Sequence, residues 1–289
     1  MRPWAPRAVS LPVASASPPG VALPPMNATH AKAPLTLLTW NVNSVRQRLD
    51  HVLTYLSEHE PDVVCLQETK VEDKLFPRVP FVELGYHVEF YGGKTHAGVA
   101  TLTKVPPTEV VKGFREGPEE ERRRVLYTRV GGVAIYNLYV PNGTALESDA
   151  FAYKLAWLRR LRAQLDAHHR ADEPVVLCGD FNIAPDERDV YSVEAMTGHL
   201  HFTPEERAAL RELLGFGLHD CYRRLHPEPG GFTWYDYRGA SWRKREGLRI
   251  DHVYVTAPLL ERCREVQADE DPRSWDQPSD HLPLTARFA

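Results

Sequence analysis

Nine apolar runs of six to eight residues recur between residues 35 and 288, and they constrain the fold more than any other feature of the chain. They are rich in Val, Thr and Tyr and too short for typical helices, which predicts β-strands. Gly131-Gly132 separates two of them and predicts a two-residue hairpin. The runs are 35–42, 62–68, 87–92, 98–104, 124–130, 133–140, 175–181, 249–255 and 282–288.

Helical periodicity appears between these strands. The predicted helices are 45–59, 148–169 and 203–216. Ser44 with Gln47, and Thr203 with Glu206, have the spacing of capping boxes at the starts of two of these helices. Many strands and few helices predict an α+β fold, a four-layer sandwich in which two packed, mostly antiparallel β-sheets are flanked by helices.

The first 34 residues differ from the rest of the chain. They contain no acidic residue, are rich in Pro and Ala, and lack periodicity, which predicts a disordered tail. A signal peptide is the alternative, since Arg2 and Arg7 precede a short apolar stretch, but Pro12 interrupts that stretch. Met26 is a second candidate start, so the presence of the tail in the cell stays open. Residues 35–289 contain no obvious linker and are predicted to form one catalytic domain.

Composition limits the partners and the compartment. No apolar stretch approaches the roughly 18 residues of a membrane span, so no membrane association is expected. Four widely spaced cysteines, without a Cys-x-x-Cys pair, are predicted to be buried free thiols in a reducing cytoplasm. The net charge of −4 means that any attraction to nucleic acid must come from a local basic surface.

Polar side chains with oxygen and nitrogen ligands follow the apolar runs at several of their ends. Any one of them is most simply a solvated turn residue, but together they indicate a single site. Carboxylates and amides suit a hard cation such as Mg²⁺, with Mn²⁺ as a substitute, better than zinc. Such an ion neutralises phosphate oxygens and lowers the pKa of a bound water. The residues are Asn41, Glu68, Tyr139, Asn142, Asp180, Asn182, Asp251, Asp280 and His281.

The motifs around these residues resemble the exodeoxyribonuclease III and apurinic/apyrimidinic endonuclease family, within the endonuclease/exonuclease/phosphatase superfamily. QETK, YVPNG and W-x-D-Y-R followed by GLRIDH are specific to the DNA-repair branch, whereas GDFN and SDH also occur in the phosphatases. The motifs run in family order and are WNVNSVR (40–46), LQETK (66–70), HAGVATLTK (96–104), NLYVPNG (137–143), GDFNIAP (179–185), FTWYDYR (232–238), GLRIDH (247–252) and PSDH (278–281).

The resemblance implies a role for each site residue. Glu68 is the principal metal ligand, with contributions from Asn41 and Asp280. Asp180 and Asn182 position and activate the attacking water, and His281, held by Asp251, contacts a phosphate oxygen. Tyr139 and Asn142 hydrogen-bond the scissile phosphate. The general base is Asp180 or His281, because the pair can titrate jointly; Asp180 is the preferred choice.

A basic and aromatic segment, residues 221–249, is the predicted DNA surface. Its seven basic and three acidic residues give it a charge of +4 in an otherwise negative chain, and six aromatics lie among them. Arg249 is expected to bind substrate. The resemblance further implies that Trp234 and Leu248 line the pocket for a flipped-out abasic sugar.

The leading hypothesis is a Mg²⁺-dependent phosphodiesterase that incises duplex DNA 5′ to abasic sites and cleans 3′ ends by 3′→5′ exonuclease action. It is expected to act as a monomer in the cytoplasm, associated with the nucleoid when on DNA. A phosphatase of small phosphoesters and a catalytically silent DNA-binding module are the alternatives. The balance of exonuclease and endonuclease activity, and whether one or two metals bind, stay open.

Overall fold

A computed structural model describes residues 33–93, 97–117 and 123–289. The predicted disordered tail therefore lies outside the described residues, apart from Ala33 and Pro34. His96, the first residue of the HAGVATLTK motif, also lies outside them.

The described part of the chain contains twelve strands, eight α-helices and four short 3-10 helices. The strands are Leu35–Asn41 (β1), Val63–Gln67 (β2), His87–Tyr91 (β3), Val99–Thr103 (β4), Glu109–Lys112 (β5), Val125–Val130 (β6), Val133–Tyr139 (β7), Val175–Asp180 (β8), Leu218–Asp220 (β9), Asp251–Thr256 (β10), Cys263–Ala268 (β11) and Leu284–Phe288 (β12). The helices are Leu49–His59 (α1), Arg78–Glu83 (α2), Asp149–His168 (α3), Val193–Met196 (α4), Pro204–Leu214 (α5), Cys221–Leu225 (α6), Ser241–Lys244 (α7) and Ala257–Leu260 (α8).

The strands form two six-stranded sheets. The first has the order β11-β12-β1-β2-β4-β3 and the second β5-β6-β7-β8-β10-β9. Each sheet is antiparallel except for one central parallel pair, β1 with β2 and β7 with β8. The prediction of two mostly antiparallel sheets is thus confirmed. The short strands β5 and β9 and the six-residue strand β11 were not among the predicted runs.

Both faces of each sheet are buried, one against the other sheet and the other against helices, so successive side chains of a strand pack into different cores. Leu37, Cys65 and Cys178 belong to the core between the sheets, whereas Leu38 packs toward α1 and α2 on the outer face. On the outer face of the second sheet, Leu161 of α3 joins the core formed with α5. Burial on both faces explains why the strand sequences are apolar runs rather than alternating patterns. All four cysteines are free and buried, as predicted.

Local signals were correct in two places and wrong in one. Gly131 and Gly132 both have positive φ and form the hairpin between β6 and β7, and Thr203 with Glu206 forms the capping box of α5. The box predicted at Ser44 does not exist, since α1 begins at Leu49 without a side-chain cap. Ser44 has φ of 95°, and its N–H donates to the carbonyl of Glu68 instead.

The central parallel pair of the second sheet is unusually close at one point. Gly179 has φ of 135°, and a Cβ atom built on it would lie 1.9 Å from the carbonyl oxygen of Leu138. Only a residue without a side chain fits this approach. The next pair in register is Tyr139 with Asp180, and Asp251 of β10 is paired with Asp180 on the other side. Three predicted site residues therefore lie side by side across three strands.

Candidate active site

Asp180 lies at the centre of the predicted site, at the end of β8 and 1% exposed. Its Oδ2 accepts hydrogen bonds from Asn41 Nδ2 at 3.0 Å and Asn182 Nδ2 at 3.1 Å. Its Oδ1 accepts one from the backbone N–H of Asn182 at 2.8 Å. Because Asn41 ends β1, these bonds join the edges of the two sheets and show that the strand-end side chains do converge.

His281 and Asp251 form a buried pair beside Asp180. His281 Nδ1 donates to Asp251 Oδ2 at 2.9 Å, and Nε2 faces Asp180 Oδ2 at 3.8 Å. Burial alone would lower the pKa of His281, but the carboxylates of Asp251 and Asp180 outweigh it and raise that pKa to about 10. The ring is therefore an imidazolium at neutral pH, with its Nε2–H directed into the site.

The pKa of Asp180 is raised although a cation lies nearby, whereas a nearby cation ordinarily lowers the pKa of a carboxyl group. Burial raises its pKa to about 7; the cationic His281 opposes this rise, while Asp251 and Glu68 add to it. A carboxyl group that titrates near neutral pH can both accept and return a proton under physiological conditions.

Glu68 and Tyr139 also belong to the site. Glu68 follows β2 in the left-handed backbone region, with φ of 50°, and its Oε1 accepts from Asn41 at 3.0 Å. Its Oε2 lies 2.8 Å from the ammonium of Lys70. Burial, then the charges of Glu68 and Asp180, raise the pKa of Tyr139 well above its ordinary value. Tyr139 is thus a neutral hydrogen-bond donor.

The donor set fits a divalent cation. Ligand atoms of Glu68, Asp180 and His281 lie within 4.8 Å of one another, and the two carboxylates supply the oxygen atoms for a cation, whereas His281 as an imidazolium has no free lone pair to offer it. Asn41 lies at this point but turns its Nδ2 toward the carboxylates, with its oxygen accepting from Asn43 N. As placed, Asn41 therefore orients the carboxylates and is not positioned as a ligand.

Asp280 lies next to the cluster and is not one of its three members. Its Oδ1 accepts from Asn43 Nδ2 at 2.9 Å and its Oδ2 from the indole of Trp234 at 3.0 Å. Burial raises its pKa, but His281 and these two hydrogen bonds more than compensate and hold it below the ordinary value. Asp280 is an anion that links the cluster to the aromatic surface around Trp234.

The predicted phosphate-binding amide lies on the rim of the site. Asn142 is exposed, and its Nδ2 donates to Asn182 Oδ1 at 3.1 Å. Asn182 is 4% exposed and in turn donates to Asp180 and to the carbonyl of Val140. These amides form a chain of hydrogen bonds that leads from the surface to Asp180.

A cavity of about 350 Å³ has Trp234 and Leu248 among its lining residues, and Trp234 connects it to the cluster through its bond to Asp280. His201, which was not predicted, also lines it, with its ring 6.1 Å from that of Trp234. Its Nδ1 is 2.7 Å from the carbonyl oxygen of Asn182, and burial lowers its pKa to about 4. No motif marks His201, because a lone His before a helix is usually structural.

Arg249 corrects one prediction. Its guanidinium is completely buried and bonds to Asp189 Oδ1 at 2.6 Å and to Asp220 Oδ2 at 2.7 Å. Arg223 bonds to the same Asp189 oxygen. Contact with DNA would require Arg249 to leave two carboxylates unpaired in the interior, so its position is structural.

The predicted basic surface is also smaller than the sequence suggests. Besides the two buried arginines, Arg238 pairs with Asp236 and Arg245 with Glu270. Fewer exposed cations than the sequence suggests therefore lack a close carboxylate partner among the described residues. In α7, Arg243 is such an exposed cation, whereas Lys244 lies near Glu246.

The chain matches the model of the Endonuclease/Exonuclease/phosphatase family over residues 38–281. An exodeoxyribonuclease III of Haemophilus influenzae is 35% identical over 266 residues, which cover 88% of this chain and all of that protein. An AP endonuclease from Archaeoglobus fulgidus is 40% identical with a TM-score of 0.85, covering 88% of this chain and 99% of the other. A 3′ phosphatase from Neisseria, solved bound to a product DNA hairpin, is 38% identical with the same TM-score and coverage. The family match spans strands of both sheets and all the predicted site residues.

Proposed function

The chain belongs to the endonuclease/exonuclease/phosphatase family, and on that premise we propose that it is a DNA-repair nuclease. It cuts the phosphodiester 5′ to abasic sites and removes nucleotides and blocking groups from 3′ ends. The relatives named for exodeoxyribonuclease, AP endonuclease and 3′ phosphatase activities support this function. The observation that carries the proposal is the buried cluster of carboxylates around one imidazolium, which lies beside a cavity with an aromatic wall.

Mg²⁺ is the proposed cofactor, with Glu68 as its principal ligand at the mouth of the cluster. The ion supplies charge neutralisation at the phosphate and acidification of a bound water. Several carboxylates in one place repel each other, and only one imidazolium and one lysine offset them, so the site favours a cation on electrostatic grounds.

Three neutral or cationic groups of the site can donate to a phosphate, for which the phenol of Tyr139 turns from Glu68, its present partner. The Nε2–H of His281 is charged and directed into the site, and the phenol of Tyr139 stays protonated. Asn142 has amide hydrogen-bonding capacity beyond its bond to Asn182. Together they bind the non-bridging oxygens and stabilise the negative charge that develops on them as phosphorus is attacked.

Asp180 is the proposed general base. Its pKa of about 7 matches proton transfer at neutral pH, and its two oxygens are oriented by Asn41 and Asn182. Asp180 takes a proton from the attacking water, whereas Asp251 keeps His281 in its cationic form and orientation. Each group then has one role.

Lesion recognition is assigned to the cavity lined by Trp234 and Leu248. Extrusion of a nucleotide costs least where the base is missing, because no stacking or pairing is lost. We propose that the abasic sugar enters this cavity while its 5′ phosphate lies on the donors of His281 and Tyr139. Monomeric action in the cytoplasm, on nucleoid DNA, is part of the same proposal. Among the described residues, no helix is long and apolar enough to cross a bilayer.

A gel assay with purified protein tests the function. Matched duplexes carrying an abasic site, a nick with a 3′ phosphate, or neither are incubated with Mg²⁺ and with excess chelator. Incision 5′ to the abasic site and loss of the 3′ phosphate are expected with Mg²⁺ and not with chelator. Glu68→Gln is expected to require more Mg²⁺ for half-maximal rate.

Intact abasic and 3′-phosphate duplexes after incubation with Mg²⁺ would overturn the proposal. Hydrolysis of small phosphoesters without any action on DNA would instead support the phosphatase alternative. Arg170→Ala, a change to an exposed arginine paired with Asp172 on a turn after α3, serves as the matched surface control.

A further inference from the structure

Lys154 of α3 is a completely buried lysine that lies directly beneath the catalytic loops. Its ammonium donates to the carbonyl oxygen of Asn182 at 2.7 Å and to that of Asn142 at 3.2 Å. These carbonyls belong to the loops after β8 and β7 respectively. One side chain therefore ties together the two loops whose amides lead to Asp180.

The charge of Lys154 is balanced by Glu206, which is also completely buried. Glu206 simultaneously closes the capping box of α5 with Thr203 and accepts from the backbone N–H of His201 at 3.2 Å. Burial lowers the pKa of Lys154, with Glu206 opposing this shift. Loss of either partner of a buried ion pair leaves the other charge unpaired in the interior, which is strongly destabilising. The several hydrogen bonds of this pair fix the local geometry.

The conformation of Asn182 explains why such a tie is useful. Its φ of 53° is a left-handed backbone, which non-glycine residues adopt at a cost. In this conformation its carbonyl points inward, where Lys154 and His201 bind it. Its backbone N–H and side-chain amide consequently point at Asp180.

We propose that Lys154 is a positioning residue for phosphodiester cleavage, acting through the Asn142 and Asn182 carbonyls on the orientation of Asp180. This inference rests on the proposed function. Lys154 contacts no reacting atom. By holding both loops in one arrangement it sets the distance between the phosphate-binding amide of Asn142 and the proposed base, and small errors in such distances reduce turnover strongly.

The test compares two double variants of full-length protein. Lys154→Met/Glu206→Gln removes the donor while preserving most of the length of the side chain and one oxygen for the capping box; the bond from the His201 N–H to Glu206 is lost equally in both double variants. Lys154→Gln/Glu206→Gln restores a neutral donor on a side chain that is one bond shorter and reaches toward the same carbonyls. Leu161→Ala, a change in the apolar face of the same helix, provides a control with a comparable loss of Tm. The assay measures kcat and KM on the abasic duplex with Mg²⁺, Kd for the same duplex with chelator, and Tm.

The expected result is a fall in kcat of about 30-fold or more for the Met double variant, with KM and Kd within about 3-fold of wild type. The Gln double variant is expected to recover at least about 5-fold of that loss, and Leu161→Ala to keep the wild-type kcat. Equal kcat values for the Met and Gln double variants, or a Met variant no slower than Leu161→Ala, would show that Lys154 only fills space and would overturn the inference.

If the Met double variant fails to fold, the Gln double variant is compared with Leu161→Ala at equal Tm. A folded Gln variant whose Nε2 donates to both carbonyls in its crystal structure, and whose kcat lies within about 6-fold of wild type, supports the inference. Wild-type kcat with the Asn182 carbonyl unbound overturns it. Failure of the wild type to cut any phosphodiester would overturn the proposed function instead, so the two failures are distinct.

Discussion

Two groups of largely buried charge invite comparison. The strand-end cluster lies where the edges of the two sheets meet and is defined by Glu68, Asp180, Asp251, Asp280 and His281, and the Arg249 cluster lies beside the second sheet and is defined by Arg223, Arg249, Asp189 and Asp220. In the Arg249 cluster two arginines meet two carboxylates at distances of 2.6–2.7 Å. In the strand-end cluster four acids face one imidazolium, with Lys70 at the edge.

Balanced charge stabilises a fold, whereas unbalanced charge leaves capacity for a ligand. In the Arg249 cluster each charge is already satisfied, so the pKa of Asp220 is held below its ordinary value by Arg249 and His252 despite its burial. In the strand-end cluster Asp180 has a raised pKa because burial and neighbouring acids dominate. The comparison teaches that burial of charge alone does not identify a catalytic site; the excess of one sign does.

The largest expected effect is on the strand-end cluster. Asp180→Asn is expected to reduce kcat by roughly 10²–10⁴-fold, because the proposed base is lost while the shape of the side chain is kept and one of its two acceptor oxygens remains. Kd for the abasic duplex in chelator should stay within a few-fold. Single-turnover cleavage and filter binding measure the two quantities. A rate equal to that of the wild type would remove Asp180 from the mechanism.

The corresponding change in the Arg249 cluster should affect stability rather than chemistry. Arg249→Met leaves Asp189 and Asp220 with fewer partners in the interior, and the free energy of unfolding should fall by about 3–5 kcal/mol. Urea unfolding measures this loss. At a temperature where the variant is folded, kcat should differ little from wild type; a loss of DNA affinity without a loss of stability would restore Arg249 as a substrate-binding residue.

The pH dependence of stability gives a smaller effect that reports on His281. Its folded pKa of about 10 exceeds the ordinary value of 6.5, so the folded state holds a proton that the unfolded state releases. This contribution is complete below pH 6.5 and is lost as pH rises through 10. Metal-free wild type should therefore lose about 1.4 kcal/mol of unfolding free energy per pH unit between pH 7.5 and 9 relative to His281→Gln.

Parallel urea titrations of the two proteins at pH 7.5, 8.25 and 9 make this measurement. The lysines, tyrosines and cysteines are common to both proteins, so their titration cancels in the difference. The titration of Asp180 does not cancel, because the cationic His281 lowers its pKa, and the comparison is therefore repeated with Asp180→Asn in both proteins. Parallel stability curves for wild type and His281→Gln across this interval would mean that His281 is neutral in the folded protein.

The smallest expected effect is on the salt dependence of DNA binding by the basic segment, residues 221–249. Here an arginine without a carboxylate partner is compared with one that has a partner. Arg243→Gln should leave kcat unchanged and reduce the slope of log K against log salt by about 0.9, as expected for one phosphate contact. Arg238→Gln, whose guanidinium already pairs with Asp236, should change the slope less. Binding isotherms at several salt concentrations measure both. Identical slopes for Arg243→Gln and wild type would place the DNA on another face.

The strand-end residues could be predicted from sequence because an apolar run that stops at a carboxylate or amide is a local pattern. The sequence could not show which charged residues are paired with an opposite charge, since the partners of Arg249 lie about 30 and 60 positions away at Asp220 and Asp189. For the same reason the buried hydrogen bond from Lys154 to Asn182 could not be predicted, because the lysine belongs to a helix with an ordinary amphipathic sequence.

Two fold errors have equally specific causes. The Ser44 capping box failed because the backbone there turns into the left-handed region and bonds to the segment after β2, a tertiary contact that overrides local propensity. β11 was missed because its sequence, CREVQA, places charged and polar side chains on its exposed face, so no apolar run marks it.

Gly179 sets a limit on how this enzyme can vary. Its missing side chain is the gap that lets β7 and β8 meet one residue before Tyr139 and Asp180. Even an alanine at this position would push the two strands apart and increase the distance between Tyr139 and Asp180. In a random mutagenesis screen, position 179 would therefore score like a catalytic position, although it contributes no functional group.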